Sequence, residues 1–163
     1  MDLWINIARD DLTALLGEID GLVINDSEAL LLTEHRNPFT AARAIMEMGP
    51  KVVIIKKGEH GAVLVTPEGV AVIPAFPADE AMVVDPTGCG DSFAGGFMGS
   101  IAARGSWEFG DLQAAMAWGT VSASFTLGAF ALEGLRALTM DKLEQRMATY
   151  QTAARVGDVA PIA

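Results

Sequence analysis

A glycine-rich segment that ends in an acidic residue is the stretch of this sequence best suited to chemistry. It begins Asp-Pro-Thr-Gly-Cys-Gly-Asp at Asp85 and continues to Gly96. The surrounding pattern predicts a strand before it and a helix that starts near Asp91. Gly88 and Gly90 permit unusual backbone dihedrals, so successive amides can point into one concavity. Together with the positive end of the helix, these amides predict an anion site.

Asp91, the last residue of this loop, favours a catalytic interpretation. A carboxylate beside an anion site weakens binding, but it can accept a proton from a hydroxyl that attacks phosphorus. The loop amides would then stabilise the charge that develops on the transferred phosphoryl group. The alternative is that Asp91 caps the helix and the glycines form a turn. These residues by themselves leave both interpretations open.

Two further polar clusters follow predicted strands. An Asn-Asp-Ser-Glu segment begins at Asn25, and a Lys-Lys-Gly-Glu-His-Gly segment begins at Lys56. Ligands of α/β sheets gather at the carboxyl ends of strands. Asn25 can orient phosphate oxygens or waters, and Glu28 can hold a hydrated Mg²⁺. The structural alternatives are a helix capping box for the first cluster and a plain hairpin for the second.

The order of predicted elements indicates an α/β fold. Helices are predicted over 10–16, 28–32, 39–48, 92–104, 111–127 and 140–154. Strands are predicted over 21–25, 51–56, 62–65, 70–73 and 81–84, and the three in the middle form a meander. Gly95 and Gly96 are expected to let the helix over 92–104 pack closely on a neighbour. The linkers are short, so we expect a single domain over 1–163 with a loose tail.

Composition and charge exclude several classes of protein. The chain has 163 residues, of which 51% are hydrophobic and 20% are charged, as in globular domains. Eleven basic and 21 acidic residues give a net charge of −10, which argues against binding nucleic acid or an anionic membrane. The uncharged stretch over 112–132 is rich in small and hydroxyl residues, which predicts a buried helix and not a membrane span.

The few cysteines and histidines limit the possible disulfides and metal sites, and the N-terminal residues indicate where the protein is located. A single cysteine, Cys89, excludes an intramolecular disulfide, and two isolated histidines make no metal site. The residues Met-Asp-Leu-Trp lack the basic and apolar regions of a signal peptide, so a cytoplasmic location is expected.

The three polar clusters, in this order, resemble the ribokinase-like (PfkB-type) carbohydrate and nucleoside kinases. The run from Asp85 to Asp91 looks like the C-terminal signature of that family, and Asn25 to Glu28 matches its Asn-x-x-Glu motif. The resemblance implies a three-layer α/β/α fold. This chain would be its C-terminal half, with a mostly parallel sheet and a small β-meander. The N-terminal lid and sugar-binding half would be absent.

The resemblance also implies roles for the loop residues. Asp91 would be the general base that deprotonates the substrate hydroxyl. The backbone amides of Gly88, Cys89 and Gly90 would form the anion hole. The family usually has alanine where Cys89 stands, and the thiol, at a helix N-terminus, is expected to be unusually acidic and reactive.

The ligands implied by the resemblance are ATP, Mg²⁺ and a monovalent cation such as K⁺. The residues it assigns to them are Asn25 and Glu28 for Mg²⁺ and the ATP phosphates, Lys56 and Gly58 for the nucleotide, Asp85 and Thr87 for the monovalent cation, and Gly119 and Gly128 for the border of the adenine.

The expected function is ATP-dependent phosphoryl transfer to a hydroxyl of a sugar or nucleoside. One alternative is a non-catalytic nucleotide-binding or assembly fragment of such a kinase. Another is an S-adenosylmethionine-dependent methyltransferase, because Asp85 to Gly90 is similar to its Asp-x-Gly-x-Gly loop with one extra residue. A mean hydropathy of +0.34 also predicts an apolar face, normally covered by the missing half, that is exposed or is buried in a homo-oligomer.

Overall fold

The computed structural model describes residues 1–155, which fall into two compact units. The sheet unit comprises residues 1–75 and 105–113, and the helical unit comprises residues 76–104 and the chain from residue 114 onward. The loose tail predicted at the end of the chain lies outside the described residues. The single-domain organisation stays a prediction.

Eight helices and four strands make up the regular structure of the described chain. The helices are α1 (Asp2–Ile7), α2 (Arg9–Leu16), α3 (Asp26–Thr33), α4 (Pro38–Met46), α5 (Cys89–Arg104), α6 (Phe109–Leu127), α7 (Glu133–Arg136) and α8 (Met140–Ala154). The strands are β1 (Gly21–Asn25), β2 (Val52–Lys56), β3 (Ala62–Val65) and β4 (Val70–Ile73). Two 3₁₀ turns cover Gly58–His60 and Glu80–Met82.

The sheet unit is built on one mixed sheet with the order β1-β2-β3-β4. β1 and β2 are parallel, and β2, β3 and β4 form the predicted antiparallel meander. The α/β class is therefore confirmed, although the described sheet has one parallel pair and is not mostly parallel. The register pairs Asn25 with Lys56, so the ends of β1 and β2 lie side by side.

The sheet forms where the sequence concentrates β-branched residues. Ile24 of β1 and the run Val53, Ile54 and Ile55 of β2 are fully buried. Helix α4 covers one face of this core through small side chains, because Ala41 and Ala42 are also buried. Each large aliphatic side chain buried in this way contributes about 1.5–3 kcal/mol.

Most predicted elements are found within a few residues of their predicted bounds. The strands over 21–25, 62–65 and 70–73 and the helix over 140–154 are confirmed with the bounds that were predicted. The helix predicted over 39–48 ends at Met46, and helices α1 and α7 were not predicted. Among the described residues, no helix combines the length and apolar character needed to cross a bilayer.

The strand predicted over 81–84 is wrong. Residues Glu80–Met82 form a 3₁₀ turn, and the Asp79 carboxylate accepts a hydrogen bond from the Met82 amide at 3.0 Å. Val83 and Val84, whose β-branching suggested a strand, are exposed. The Val84 amide donates to the Leu127 carbonyl at 2.9 Å, and this contact takes the place of a strand ladder.

Glycines let α5 and α6 approach each other closely in the helical unit. A Cβ atom on Gly96 would clash with Ser122 Oγ and would lie 2.8 Å from the Trp118 carbonyl oxygen. The predicted close packing is therefore confirmed at Gly96. A Cβ on Gly95 would meet open space, so Gly95 has no such role.

Candidate functional site

The Asn25 cluster forms a complete capping box at the start of α3. Asn25 Oδ1 accepts a hydrogen bond from the Glu28 amide at 2.7 Å, and Glu28 Oε2 accepts one from the Asn25 amide at 3.0 Å. The capping box, which was the structural alternative to a ligand site for this cluster, is thus observed. It also holds both polar side chains at the carboxyl end of β1, where a ligand of the sheet would bind.

The Glu28 carboxylate lies in a positive environment. Its Oε1 atom is 3.0 Å from the ammonium group of Met1. Partial burial by itself would raise the pKa of Glu28, but the Asn25 amide, the Met1 ammonium and the charge of Lys56 outweigh it. The pKa of Glu28 is consequently held below its ordinary value. This carboxylate stays ionised under conditions in which a cation could bind.

Lys56 and Gly58 lie at the same edge of the sheet as Asn25. The register places Lys56 opposite Asn25, and the next residues turn sharply because the Lys57 amide donates to the Gly61 carbonyl at 2.8 Å. Gly58 has φ +55°, and a Cβ there would meet no atom within 4 Å. The structure therefore brings the four predicted residues of the sheet unit to one sheet edge and leaves the turn open beside them.

The residues at this edge fit a hydrated Mg²⁺ better than a directly caged one. Among residues 1–155, no group of three His, Cys, Asp or Glu side chains is placed to hold a metal. Glu28 supplies a single carboxylate whose oxygens already accept from Asn25 and contact Met1. Mg²⁺ keeps several of its waters and is often held by one or two carboxylates, so contact through water suits this donor set.

The lowered pKa of Glu28 makes a contribution to stability that depends on pH. A carboxylate with a lowered folded-state pKa stabilises the fold above its unfolded pKa, and this contribution is lost as the pH falls through the folded value. Glu28→Gln should therefore reduce the free energy of unfolding by about 1 kcal/mol at neutral pH. The difference from the parent chain should vanish in acid, as measured by urea unfolding from pH 7 to pH 3.

Glu18→Gln is the matched control for this measurement, because Glu18 is an exposed residue of the same unit. Its urea midpoint should stay within experimental error of the parent at every pH. A Glu28→Gln deficit that persists unchanged in acid would contradict the electrostatic account.

In the helical unit, the glycine-rich loop is a tight turn that leads into α5. Asp85 Oδ1 accepts a hydrogen bond from the Thr87 amide at 2.9 Å, and hydrogen bonding to Thr87 lowers the pKa of Asp85. Gly88 has φ +82°, a conformation that favours glycine. The Gly88 carbonyl accepts from the Ser92 amide at 2.9 Å, so the helix begins directly after Gly88.

Helix α5 starts at Cys89, three residues earlier than the helix predicted over 92–104. Gly90 and Asp91 therefore lie in its first turn, and the expectation of an unusual backbone at Gly90 is wrong because its φ is not positive. The Cys89 amide already donates to the Pro86 carbonyl at 3.1 Å. The amides of Gly90 and Asp91 are left as the first-turn donors, since residues this early in a helix have no carbonyl within the helix to bond.

Asp91 lies on the wall of a cavity of about 650 Å³ within the helical unit. The side chain is exposed, so its carboxylate is accessible to a ligand. The wall is completed by small and apolar residues, which are Thr87, Gly88, Ser92, Gly95, Gly96, Ser122, Thr126, Ala131, Leu132, Leu135 and Leu138. A volume of this size accommodates a small organic ligand.

The Cys89 thiol does not have the acidity expected of it. Burial and the negative charge of Asp85 raise the pKa of Cys89 above its ordinary value. Its Sγ atom lies 3.7 Å from the Ala123 carbonyl oxygen, with the thiol as donor. The expectation failed because the side chain points toward α6, and the sequence cannot give that direction.

The two glycines assigned to the adenine border differ in their surroundings. Gly119 is buried, and a Cβ there would lie 2.7 Å from the Phe93 carbonyl oxygen, so Gly119 lets α6 pack on α5. Gly128 is exposed at the end of α6. Their adenine role stays a prediction.

Sequence reasoning missed two parts of this cavity. Ser92 and Thr126 are joined through their hydroxyls at 2.6 Å, which links the start of α5 to the end of α6. Leu132, Leu135 and Leu138 form an apolar wall in and around α7. Their spacing of three residues is a helical signal, but it spans only two turns and was obscured by the neighbouring glycines.

Known proteins are similar to this chain over most of its described residues. A family profile described as "pfkB family carbohydrate kinase" matches residues 2–132. The chain is 40% identical over 90 residues to a cytidine kinase of Thermococcus kodakarensis. The aligned region covers 55% of this chain and 32% of that relative. It is 34% identical over 118 residues to a bifunctional ribokinase/ribose-5-phosphate isomerase A of Fructilactobacillus sanfranciscensis, covering 69% of this chain and 21% of the relative.

Solved structures show the same fold. Aminoimidazole riboside kinase from Salmonella enterica, crystallised with aminoimidazole riboside and an ATP analogue, superposes with a TM-score of 0.74 at 25% identity. The superposition covers 85% of this chain and 47% of that one. An E. coli chain solved with ATP and Mg²⁺ gives a TM-score of 0.71 at 25% identity, over 86% of this chain and 43% of that one. The chain thus spans less than half the length of these relatives.

Proposed function

Since this chain belongs to the pfkB family of carbohydrate kinases, we propose that it transfers the γ-phosphoryl group of ATP to a hydroxyl of a sugar or nucleoside. The observation that carries the proposal is the position of Asp91. Its carboxylate is exposed on a cavity wall in the first turn of α5, directly after the Gly88 turn. Relatives that act on cytidine and aminoimidazole riboside favour a nucleoside or a related riboside as the acceptor.

Asp91 acts in this proposal as the general base. It accepts the proton of the acceptor hydroxyl while that oxygen forms a bond to the γ-phosphorus, and the bond from the γ-phosphorus to the bridging oxygen breaks to release ADP. Proton transfer to a positioned carboxylate raises the rate of a reaction about 10²–10⁴-fold. Most of the remaining catalysis is positioning and electrostatics, as is general for phosphoryl transfer.

The anion hole is proposed at the start of α5. The family resemblance assigns the amides of Gly88, Cys89 and Gly90 to this anion hole. In this structure the Cys89 amide already donates a hydrogen bond to the Pro86 carbonyl. The Gly90 amide, helped by that of Asp91, is the better donor toward developing negative charge. The positive end of α5 adds to the same stabilisation.

The remaining residues are proposed to hold ligands. Asn25 and Glu28 would hold hydrated Mg²⁺, which neutralises phosphate charge when bound, and Lys56 and Gly58 would lie beside the nucleotide. Asp85 and Thr87 would help to hold a monovalent cation. The cytoplasmic location stays a prediction.

A thermal shift experiment tests the nucleotide part of the proposal. A ligand that binds only the folded chain raises its midpoint by mass action, about 1.4 kcal/mol at a concentration ten times Kd. For a chain of this size we expect Mg·ATP to raise Tm by roughly 3–6 °C. S-adenosylmethionine is the matched control, because it carries the same adenosine without phosphates and should give no shift.

The result also separates the alternatives. An equal rise with S-adenosylmethionine would favour the methyltransferase interpretation, which the 3₁₀ turn at Glu80–Met82 already disfavours because that loop should follow a strand. A rise with Mg·ATP, followed by no turnover over a panel of nucleosides and sugars, would favour a non-catalytic module. No rise at millimolar Mg·ATP would contradict nucleotide binding by this chain.

A further inference from the structure

The last turn of α6 holds both ends of the segment over 84–92, which comprises the glycine-rich loop and the first turn of α5. At one end, the Leu127 carbonyl accepts hydrogen bonds from the amides of Val84 and Asp85, at 2.9 Å and 3.3 Å. At the other end, Ser92 Oγ and Thr126 Oγ1 are 2.6 Å apart. Two consecutive residues of one helix therefore bind the two ends of the segment.

The middle of the 84–92 segment contacts the same turn of α6. The Cys89 thiol donates to the Ala123 carbonyl, with its Sγ atom 3.7 Å from that oxygen. A Cβ atom on Gly88 would lie 3.7 Å from Thr126 Cγ2, so the methyl group of Thr126 is close to the backbone there. We call Ala123, Thr126 and Leu127 the α6 clamp. Their spacing of three and four residues places them side by side on the helix.

Thr126 is the member of the α6 clamp whose side chain makes the contacts. It is only 2% exposed, so water competes little for its hydroxyl, and its hydrogen bond to Ser92 is stronger than one at the surface. The branched side chain directs its hydroxyl to Ser92 and its methyl group toward Gly88. A change at Thr126 therefore reaches both sides of the proposed catalytic groups.

The 84–92 segment depends on such contacts because its own backbone is pliable. Gly88 and Gly90 have more conformational freedom than other residues. Gly90 and Asp91 are the two residues between Cys89 and Ser92, whose side chains both bond to α6. The two bonds to α6 restrict the residues between them.

We propose that the α6 clamp positions the catalytic groups of the 84–92 segment, with Thr126 as a positioning residue for phosphoryl transfer. This role rests on the proposed function, in which Asp91 is the base and the Gly90 amide stabilises negative charge. A base must lie within hydrogen-bond reach of the hydroxyl that it deprotonates, and a misplacement of about 1 Å can slow a reaction about 10²-fold. The Thr126 hydroxyl is engaged by Ser92, so Thr126 acts through the segment.

Amide hydrogen exchange in the ligand-free chain tests the α6 clamp without reference to activity. Thr126→Val keeps the shape of the side chain and removes its hydroxyl. The Ser92 amide, which donates to the Gly88 carbonyl at 2.9 Å, reports whether the segment is closed. Its protection should fall about 5-fold in Thr126→Val, which is the effect of losing one hydrogen bond. Thr126→Ser keeps the hydroxyl and should restore most of this protection.

Thr120→Val is the matched control. Thr120 lies on the same helix, is 8% exposed and is hydrogen-bonded to the Tyr150 hydroxyl of α8. Both changes remove one buried hydroxyl group from α6, so they should lower the overall stability by similar amounts. Only Thr126→Val should lower the protection of the Ser92 amide beyond that common loss.

Steady-state kinetics test the link from the α6 clamp to catalysis. With an acceptor that the parent phosphorylates, Thr126→Val should lower kcat about 10-fold and leave the KM for Mg·ATP within about twofold, because the displaced groups act in the transition state. Ser92→Ala should have the same effect. The double variant should be no slower than either single variant, since both remove the same hydrogen bond. Thr120→Val should leave kcat unchanged.

Unchanged protection of the Ser92 amide in Thr126→Val would overturn the positioning role, whatever the activity of the chain. An active parent whose kcat is lowered equally by Thr126→Val and Thr120→Val would overturn it too. If the parent neither binds Mg·ATP nor phosphorylates any acceptor, the proposed function fails. The exchange result then decides by itself whether the α6 clamp holds the segment.

Discussion

Asp91→Asn should reduce the turnover of the acceptor by about 10²–10⁴-fold while leaving Mg·ATP binding intact. Asparagine keeps the size of the side chain and its place in the first turn of α5, but it cannot accept the hydroxyl proton at neutral pH. The Mg·ATP shift in Tm should be equal to or larger than that of the parent, because a negative charge beside the phosphates has been removed. Loss of turnover with retained binding is the signature of a general base.

Asp141→Asn is the matched control for this experiment. Asp141 also lies in the first turn of a helix, α8, and is exposed. Both changes remove a favourable interaction with a helix N-terminus, worth about 0.3–1 kcal/mol, so they should lower the stability by similar amounts. Only Asp91→Asn should lower turnover. If Asp91→Asn keeps full activity with any acceptor that the parent phosphorylates, Asp91 is not the base.

Gly96→Ala should destabilise the chain by about 2 kcal/mol. The new methyl group would clash with Ser122 Oγ and lie 2.8 Å from the Trp118 carbonyl oxygen, so α5 and α6 would have to separate. Overpacking of this kind costs about 1–3 kcal/mol and outweighs the better helix propensity of alanine. Thermal unfolding should show a Tm lower by roughly 4–8 °C.

Glycine-to-alanine changes at two other positions of α5 should raise the stability instead of lowering it. A Cβ on Gly95 or Gly99 meets no atom within 4 Å, so Gly95→Ala and Gly99→Ala gain helix propensity without a clash. Each should raise stability by up to about 1 kcal/mol. Equal effects at all three positions would show that α5 and α6 do not pack as closely at Gly96 as described.

Sequence patterns predict this fold best where local signals and burial agree. The β-branched run of β2 is buried on both sides, so its periodicity and its environment point to the same structure. The valines at 83 and 84 carry the same local signal, but they are exposed and follow a turn capped by Asp79. Burial is decided by residues distant in sequence, and pattern analysis cannot see it. Helices α1 and α7 were missed because they are too short for a helical repeat to be recognised.

In the candidate site, too, some features follow from local sequence and others depend on tertiary packing. The positions of Asp91 and of the Asn25 capping box follow from motifs of a few residues, so they could be predicted. The direction of the Cys89 side chain and the leucine wall near α7 depend on how helices pack. The Gly90 prediction failed for a local reason, because α5 begins earlier than its pattern indicated.

The environment of Cys89 has a practical consequence for any study of association. Thiolate is the form that reacts with oxidants and alkylating agents, and a raised pKa keeps its population small at neutral pH. The half-buried Sγ atom is also held toward Ala123, so two chains cannot easily bring their sulfur atoms together. A dimer observed without reducing agent is therefore expected to be noncovalent and to dissociate on a non-reducing denaturing gel.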